Sequence, residues 1–128
     1  MKLRVRGDSL RLRLTRSEVT ALAHDGLVEE SVAFGPGRRL VYAIRSVPEG
    51  APPVAATLDG TRIEVALPAP DVRRWAESEL VGLEGVQDAG EGRSLRILVE
   101  KDFACLKPRP NEDDADAFPN PNARNASC

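Results

Sequence analysis

Hydrophobic and polar residues alternate strictly through two short stretches at the start of the chain. Residues 3–6 and 10–14 carry leucine or valine at every second position, with arginine at most of the positions between. A period of two is typical of strands with one buried face, and Gly7-Asp8-Ser9 between them is typical of a turn. The pattern predicts a hairpin with one apolar face and one basic face. The basic positions are Arg4, Arg6, Arg11 and Arg13.

The period of the pattern changes after this hairpin. Thr15 and Glu18 have the spacing of a capping box, apolar residues follow at helical spacing, and Gly26 is a typical C-terminal stop. Residues 27–33 and 40–45, on either side of a Gly-Pro-Gly turn, indicate a second hairpin. We therefore expect a β-β-α-β-β unit.

The same unit occurs a second time. Residues 3–32, shifted by 53 positions, lie on residues 56–85, and a further match continues at a shift of 55 after a Gly-rich loop. A self-match at fixed period indicates an internal duplication. Trp75 takes the position of Leu22 in the first copy, so we expect Trp75 to lie in the core. The identical pairs include Gly7/Gly60, Leu14/Leu67, Val19/Val72, Ala23/Ala76, Leu27/Leu80 and Val28/Val81.

The sequence predicts one folded domain followed by a tail. The domain covers residues 1–106, with a first repeat at about 1–46, a Pro-rich linker at 47–53 and a second repeat at about 54–101. Residues 107–128 are rich in Pro, Asn and Asp and offer one large apolar side chain, Phe118. Such a segment cannot bury enough surface to fold alone, so we expect a flexible acidic tail.

The composition of the chain indicates where the protein is located and which kinds of partner it can have. The 128 residues contain no apolar run near the ~20 residues that a membrane span needs, and the N-terminus does not resemble a signal peptide. We expect a cytoplasmic protein with no membrane partner, and reduced thiols at Cys105 and Cys128. The net charge of −2 is unevenly distributed: residues 1–47 carry nine basic and five acidic side chains, and residues 48–101 carry six and ten.

Side chains suited to catalysis are scarce. The chain has one histidine, His24, and no sequence motif that marks a nucleophile, a cofactor or a metal site. Cys105 lies among apolar residues and is expected to be a buried structural thiol, although a metal there stays open. The acidic residues of the tail lack the glycine and the spacing of a calcium loop. We expect a non-enzymatic protein that needs no cofactor.

Several short motifs resemble the AbrB/MazE family of small bacterial regulators and antitoxins. Gly7-Asp8-Ser9 and Leu12-Arg13-Leu14 stand where that family has Gly-Asn-Ser and Val-Arg-Ile, and Leu67-Pro68 stands at its Ile-Pro. Residues 37–44 and 92–99 match its closing strand. The resemblance implies an α+β, mostly β, swapped-hairpin barrel, which two fused repeats would close within one monomeric chain. The chain is also similar to uncharacterised bacterial proteins that begin MKLRxRG and end their last strand EKDFACL.

The resemblance leaves three functional hypotheses open. Members of that family bind DNA with the first hairpin, which implies a DNA-binding role for Arg4, Arg6, Arg11 and Arg13. The family's antitoxins bind a protein partner with an acidic tail, and a third reading has the tail fold back and mask the four arginines. A simpler interpretation is that the arginines only cover the outside of a sheet. The tail residues concerned are Glu112, Asp113, Asp114, Asp116 and Phe118.

The second repeat does not repeat the basic face. It has Thr57, Asp59, Glu64 and Ala66 at the positions of the four arginines. Duplex binding depends on neutralising several phosphates, so a symmetric barrel would present one favourable side and one unfavourable side.

Overall fold

The structure, a computed structural model, describes residues 1–49, 52–103 and 116–118. Its elements follow the order β-β-α-β-β twice, and strands predominate, so the predicted α+β, mostly β class is confirmed. The elements are β1 (Lys2–Val5), β2 (Ser9–Leu14), α1 (Arg16–Asp25), β3 (Leu27–Gly35), β4 (Arg38–Val47), β5 (Ala55–Asp59), β6 (Arg62–Pro68), α2 (Ala69–Glu77), β7 (Gly82–Gly90) and β8 (Arg93–Lys101).

The first helix begins and ends where its capping residues predict. The Thr15 hydroxyl accepts a hydrogen bond from the Glu18 backbone N–H, and Glu18 Oε1 accepts one from the Thr15 N–H at 2.9 Å. Gly26 ends the helix in the left-handed region with φ of 79°, and its N–H donates to the Leu22 carbonyl. This reciprocal cap satisfies backbone donors that a helix start otherwise leaves unpaired.

Each half of the chain contributes one hairpin to each of two sheets. The first sheet has the order β1-β2-β8-β7 and the second sheet has the order β3-β4-β6-β5. Neighbours in sequence pair antiparallel, whereas the two central pairs, β2 with β8 and β4 with β6, are parallel. The two halves are therefore joined through the middle of both sheets.

Hydrogen bonds at equivalent positions recur in the two sheets. The Arg96 N–H donates to the Asp8 carbonyl, and the Val41 N–H donates to the Thr61 carbonyl, each at 2.9 Å. Asp8 and Thr61 are 53 residues apart, and Val41 and Arg96 are 55 apart, which are the two shifts that align the halves of the sequence. The two sheets are thus assembled in matching registers.

The core lies between the inner faces of the sheets and the two helices. Trp75 is completely buried, as predicted, and its indole N–H donates to the Val81 carbonyl at 3.0 Å. Leu12 and Leu14 of the predicted alternation are completely buried and Leu3 and Leu10 are partly buried, whereas Val5, near the tip of the hairpin, is 61% exposed. The buried positions fix the opposite face of the hairpin outward. The largest buried side chains besides Trp75 are Leu12, Leu14, Leu22, Ile44, Val65, Leu67, Val72, Ile97 and Val99.

The predicted closed barrel is wrong. Across the part of the chain that the structure describes, the two sheets remain separate four-stranded sheets, with no backbone ladder between their edges. Between β7 and β5 the Gln87 side-chain amide bonds the N–H and the carbonyl of Ala56, each at 2.8 Å. A side chain inserted between two edges holds their backbones too far apart to pair with each other.

A charged cluster connects the sheets at the opposite seam. The Met1 amine donates to Glu18 Oε2 at 2.5 Å and to Glu30 Oε1 at 2.6 Å. The Tyr42 hydroxyl donates to the other oxygen of Glu30 at 3.0 Å. The start of β1 is thereby tied to α1, β3 and β4, again through side chains.

This cluster predicts a pH dependence of stability. Burial lowers the pKa of the Met1 amine, but its hydrogen bonds to Glu18 and Glu30 outweigh burial, so the pKa is raised above 8.0. Its stabilising contribution is complete below pH 8 and is lost as the pH rises through the raised pKa. Burial raises the pKa of Glu30, but hydrogen bonds, led by the one from the Met1 amine, outweigh burial, so the pKa is lowered below 4.5. The stabilising contribution of Glu30 is complete above pH 4.5 and is lost as the pH falls through the lowered pKa.

We therefore expect the free energy of unfolding to fall between pH 7 and pH 9.5 more in the wild-type chain than in Glu30→Gln. Solvent screens this partly exposed cluster, so the difference should be about 0.5–1 kcal/mol. Urea titrations of both chains at the two pH values measure it. Buried Lys101, whose pKa burial lowers, is common to both chains and cancels in the comparison. Parallel pH profiles would show that the contact between the amine and Glu30 contributes nothing, since the contact with Glu18 remains in both chains.

Neither helix could span a membrane. Within the described ranges, the two helices have ten and nine residues, and no helix is long and apolar enough for a crossing.

Candidate nucleic-acid interface

The outer face of the first sheet carries a concentration of positive charge. Because Leu12 and Leu14 are buried on the inner side, the residues that alternate with them project outward. The pairing of β1 with β2 sets Arg4 opposite Arg11 and Lys2 opposite Arg13. We call this surface the basic face. It consists of Lys2, Arg4, Arg6, Arg11, Arg13 and Arg96.

One carboxylate from β8 stabilises the middle of the basic face. Arg11 and Arg13 both contact Glu100 Oε1, at 2.5 Å and 2.8 Å. The parallel pairing of β2 with β8 places Glu100 beside Arg13. Like charges on neighbouring strands repel, and a shared acid offsets that repulsion for two of them. Two arginines are thus fixed in position by a single negative charge.

Three other arginines of the basic face have no such partner. Arg4, Arg6 and Arg96 are exposed, and among the residues that the structure describes none of the three forms an ion pair. Arg6 exchanges two backbone hydrogen bonds with Ser9, and Ser9 pairs with Arg96. Positive charge on this face therefore continues from β1 across β2 to β8.

Arg96 was not among the predicted site residues. It lies 83 positions after Arg13 in the chain and reaches the basic face only because β8 pairs with β2. The repeat in the sequence relates Arg96 to Val41, an uncharged residue, so the alignment of the two halves does not point to it. Outward alternation along β8 is the one local signal, and it does not say which strand lies next to β8.

The tip of the basic hairpin is tied to its neighbour. Asp8, in the turn between β1 and β2, accepts a hydrogen bond from Arg93 Nε at 2.9 Å and forms a second contact with the same guanidinium. The hydrogen bond from Arg93 lowers the pKa of Asp8. Since Arg93 begins β8, the tips of the two hairpins in the first sheet are held together.

A shallow depression lies on the outer side of the first sheet, with a volume of about 620 Å³. Leu98 is at its centre, between Arg11 on β2 and Glu84 on β7. Val86 lies beside Arg96 in the next row and is 67% exposed. The depression therefore combines an apolar floor with cations on one side and a carboxylate on the other.

The outer face of the second sheet is balanced in charge. Arg62 contacts Glu29 at 2.6 Å and Glu64 at 3.1 Å, and Arg45 contacts Glu64 at 3.1 Å. The hydrogen bond from Arg62 lowers the pKa of Glu64. Thr57, Asp59, Glu64 and Ala66, the counterparts of the four predicted arginines, lie on β5 and β6 of this sheet. The two sheets thus present one basic face and one neutral face.

The described part of the tail lies against the domain. The Asp116 carbonyl accepts from the Arg16 N–H at 2.9 Å, and its carboxylate accepts from the Ser17 N–H at 3.3 Å. Hydrogen bonding to this carboxylate, first of all by the Ser17 side chain, lowers the Asp116 pKa. The Phe118 N–H donates to the Asp102 carbonyl at 2.8 Å, and its ring meets Phe103 edge-on at 5.9 Å between centroids. Asp116 and Phe118 are thus engaged at the start of α1.

These contacts bear on the two tail hypotheses. The described tail residues contact Arg16 and the end of β8 instead of the four predicted arginines. A partner that binds Phe118 must first displace it from Phe103, Arg16 and Lys101. The other predicted tail residues, Glu112, Asp113 and Asp114, lie outside the described residues, as do Cys105 and Cys128.

No constellation of metal ligands emerges from the described residues. Within residues 1–49, 52–103 and 116–118, no group of three or more His, Cys, Asp or Glu side chains could hold a metal ion. His24 is exposed in the last turn of α1.

Comparison with known proteins places the chain in a family without an assigned activity. No curated protein and no solved structure gives a significant match. One family model matches residues 1–122, nearly the whole chain. The chain therefore belongs to DUF7009, a family of unknown function.

Proposed function

We propose that this protein is a non-enzymatic DNA-binding module that contacts phosphates with its basic face. The observation that carries the proposal is the exposure of Arg4, Arg6 and Arg96 on one sheet face without an ion-pair partner among the described residues. On the second sheet, by contrast, Arg45 and Arg62 are paired with Glu29 and Glu64. Regulation of transcription is the role that this proposal favours.

The chemistry of arginine supports phosphate recognition. Its planar guanidinium presents fixed donors that match two oxygens of one phosphate, and it stays charged at all physiological pH values. Arg11 and Arg13 are already oriented by Glu100, so a phosphate can approach a pair of cations whose side-chain freedom is reduced. Binding then relies mainly on charge and on release of counterions.

We further propose that the fold is an AbrB-like swapped-hairpin arrangement that arose by tandem duplication. Exchange of hairpins between the two halves and the recurrence of hydrogen bonds at shifts of 53 and 55 support this relationship. In this view the second copy replaces a second subunit and lets one chain act as a monomer. Its loss of arginine leaves one binding face where a symmetric dimer would have two.

A salt titration tests the proposed function. Labelled DNA of random sequence, offered as duplex and as single strands, is titrated with the intact protein by fluorescence anisotropy at several salt concentrations. About four phosphate contacts should give a slope of log K against log salt of about −3 to −4 for duplex and slightly less for single strands. Failure to bind either form at low salt would overturn the proposal.

A further inference from the structure

We propose that the basic face binds single-stranded DNA in preference to duplex, with bases lying in the depression around Leu98. The inference rests on the proposed function and names the form of DNA that the surface fits. Its first support is the width of the sheet. With strands ~4.8 Å apart, the four backbones of the first sheet span about 14 Å before side chains are added. The major groove is only about 12 Å wide and admits a ribbon of two strands.

The basic hairpin is not free to enter a groove by itself. β2 pairs with β8 along its whole length, from Ser9 with Arg96 to Leu14 with Lys101. The tips of the two hairpins are also linked by Asp8 and Arg93. A duplex therefore meets a broad, rigid surface and can offer it only its outer phosphates. A single strand is flexible enough to lie along such a surface.

The composition of the depression supplies the second support. Leu98 and Val86 provide an apolar floor on which the face of a base can pack, and Arg11 and Arg96 flank that floor. A guanidinium can stack on a base while its donors contact the adjacent phosphate. A duplex shields the faces of its bases, so only unpaired bases can use the apolar floor.

Glu84 predicts which bases the depression should prefer. It lies beside Leu98, on the side of the depression opposite Arg11, and within the described chain no ion pair engages it. A carboxylate accepts hydrogen bonds from the exocyclic amino group of cytosine, whereas thymine has a carbonyl oxygen at that position. We therefore expect strands rich in cytosine to bind more tightly than strands rich in thymine.

The decisive experiment compares forms of one DNA at one salt concentration. A labelled strand of about 15 alternating cytosines and thymines is titrated alone and after annealing to its complement. We expect the single strand to bind at least about tenfold more tightly, even though the duplex carries the higher charge density. Equal binding, or tighter binding of the duplex, would overturn the inference and leave the proposed function intact. Binding of neither form would overturn both.

Two variants test the depression itself. Val86→Phe adds an aromatic ring to the exposed floor and should tighten single-strand binding about fivefold while leaving duplex binding unchanged. Glu84→Ala should reduce the ratio of oligo(dC) to oligo(dT) affinity to about one. Glu77→Ala, which removes an exposed acid from α2, is the matched control and should keep the wild-type ratio. If Val86→Phe leaves the affinity for the single strand unchanged and Glu84→Ala leaves the ratio of oligo(dC) to oligo(dT) affinity unchanged, the bases do not occupy the depression.

Discussion

Replacing Trp75 by alanine should lower the free energy of unfolding by about 3–5 kcal/mol. Trp75 is fully buried on α2 and has the largest side chain in the core shared by both sheets. Removing the indole leaves a large cavity that the surrounding strands can fill only partly, because the core is held by two parallel strand pairs. Urea unfolding followed by far-UV circular dichroism measures the loss.

Trp75→Phe separates the volume of the side chain from its hydrogen bond. The Val81 carbonyl accepts from the indole at 3.0 Å and also from the Lys101 N–H at 2.9 Å. Losing the indole donor therefore does not leave that carbonyl unsatisfied, and phenylalanine should cost only about 1–2 kcal/mol. If alanine and phenylalanine destabilise the protein equally, the packing role assigned to Trp75 is wrong.

Local patterns in the sequence were sufficient to predict the elements. Strict alternation marked β1 and β2, and stretches on either side of glycine-containing turns marked the other strands. Thr15, Glu18 and Gly26 marked the ends of α1, because each of these signals arises from residues close together in the chain. The burial of Trp75 followed from its position at the site of Leu22 in the other repeat. The elements predicted from local patterns, and the buried position of Trp75 predicted from the self-match, were thus confirmed.

Features that depend on distant contacts were harder to predict. The predicted closure of the barrel was wrong because the Gln87 side chain bridges one seam and the Met1 amine, bound to Glu30, bridges the other. Nothing in the local sequence of these residues indicates that role. Glu100 lies 89 residues after Arg11 in the chain, and the two side chains meet only because β8 pairs in parallel with β2. The contribution of Arg96 and Glu100 to the basic face therefore could not be predicted before the strand order was known.

Replacing the four predicted arginines by alanine should weaken DNA binding about 100-fold or more at low salt. Each lost phosphate contact should also make the salt slope shallower by about one. The control removes four exposed arginines elsewhere, so that the net charge changes equally. The binding variant is Arg4→Ala, Arg6→Ala, Arg11→Ala and Arg13→Ala. Its control is Arg38→Ala, Arg39→Ala, Arg73→Ala and Arg74→Ala.

The four-arginine variant leaves Glu100 without its two partners, so circular dichroism must first show that it is folded. A second variant changes the same site in the opposite direction. Glu100→Gln keeps an oxygen that Arg11 and Arg13 can contact but removes its negative charge, and it should tighten binding about fivefold. Loss of affinity in the first variant with gain in the second assigns binding to the basic face. If the control arginines matter as much as the four, attraction comes from net charge alone and the basic face is only the solvated outside of a sheet.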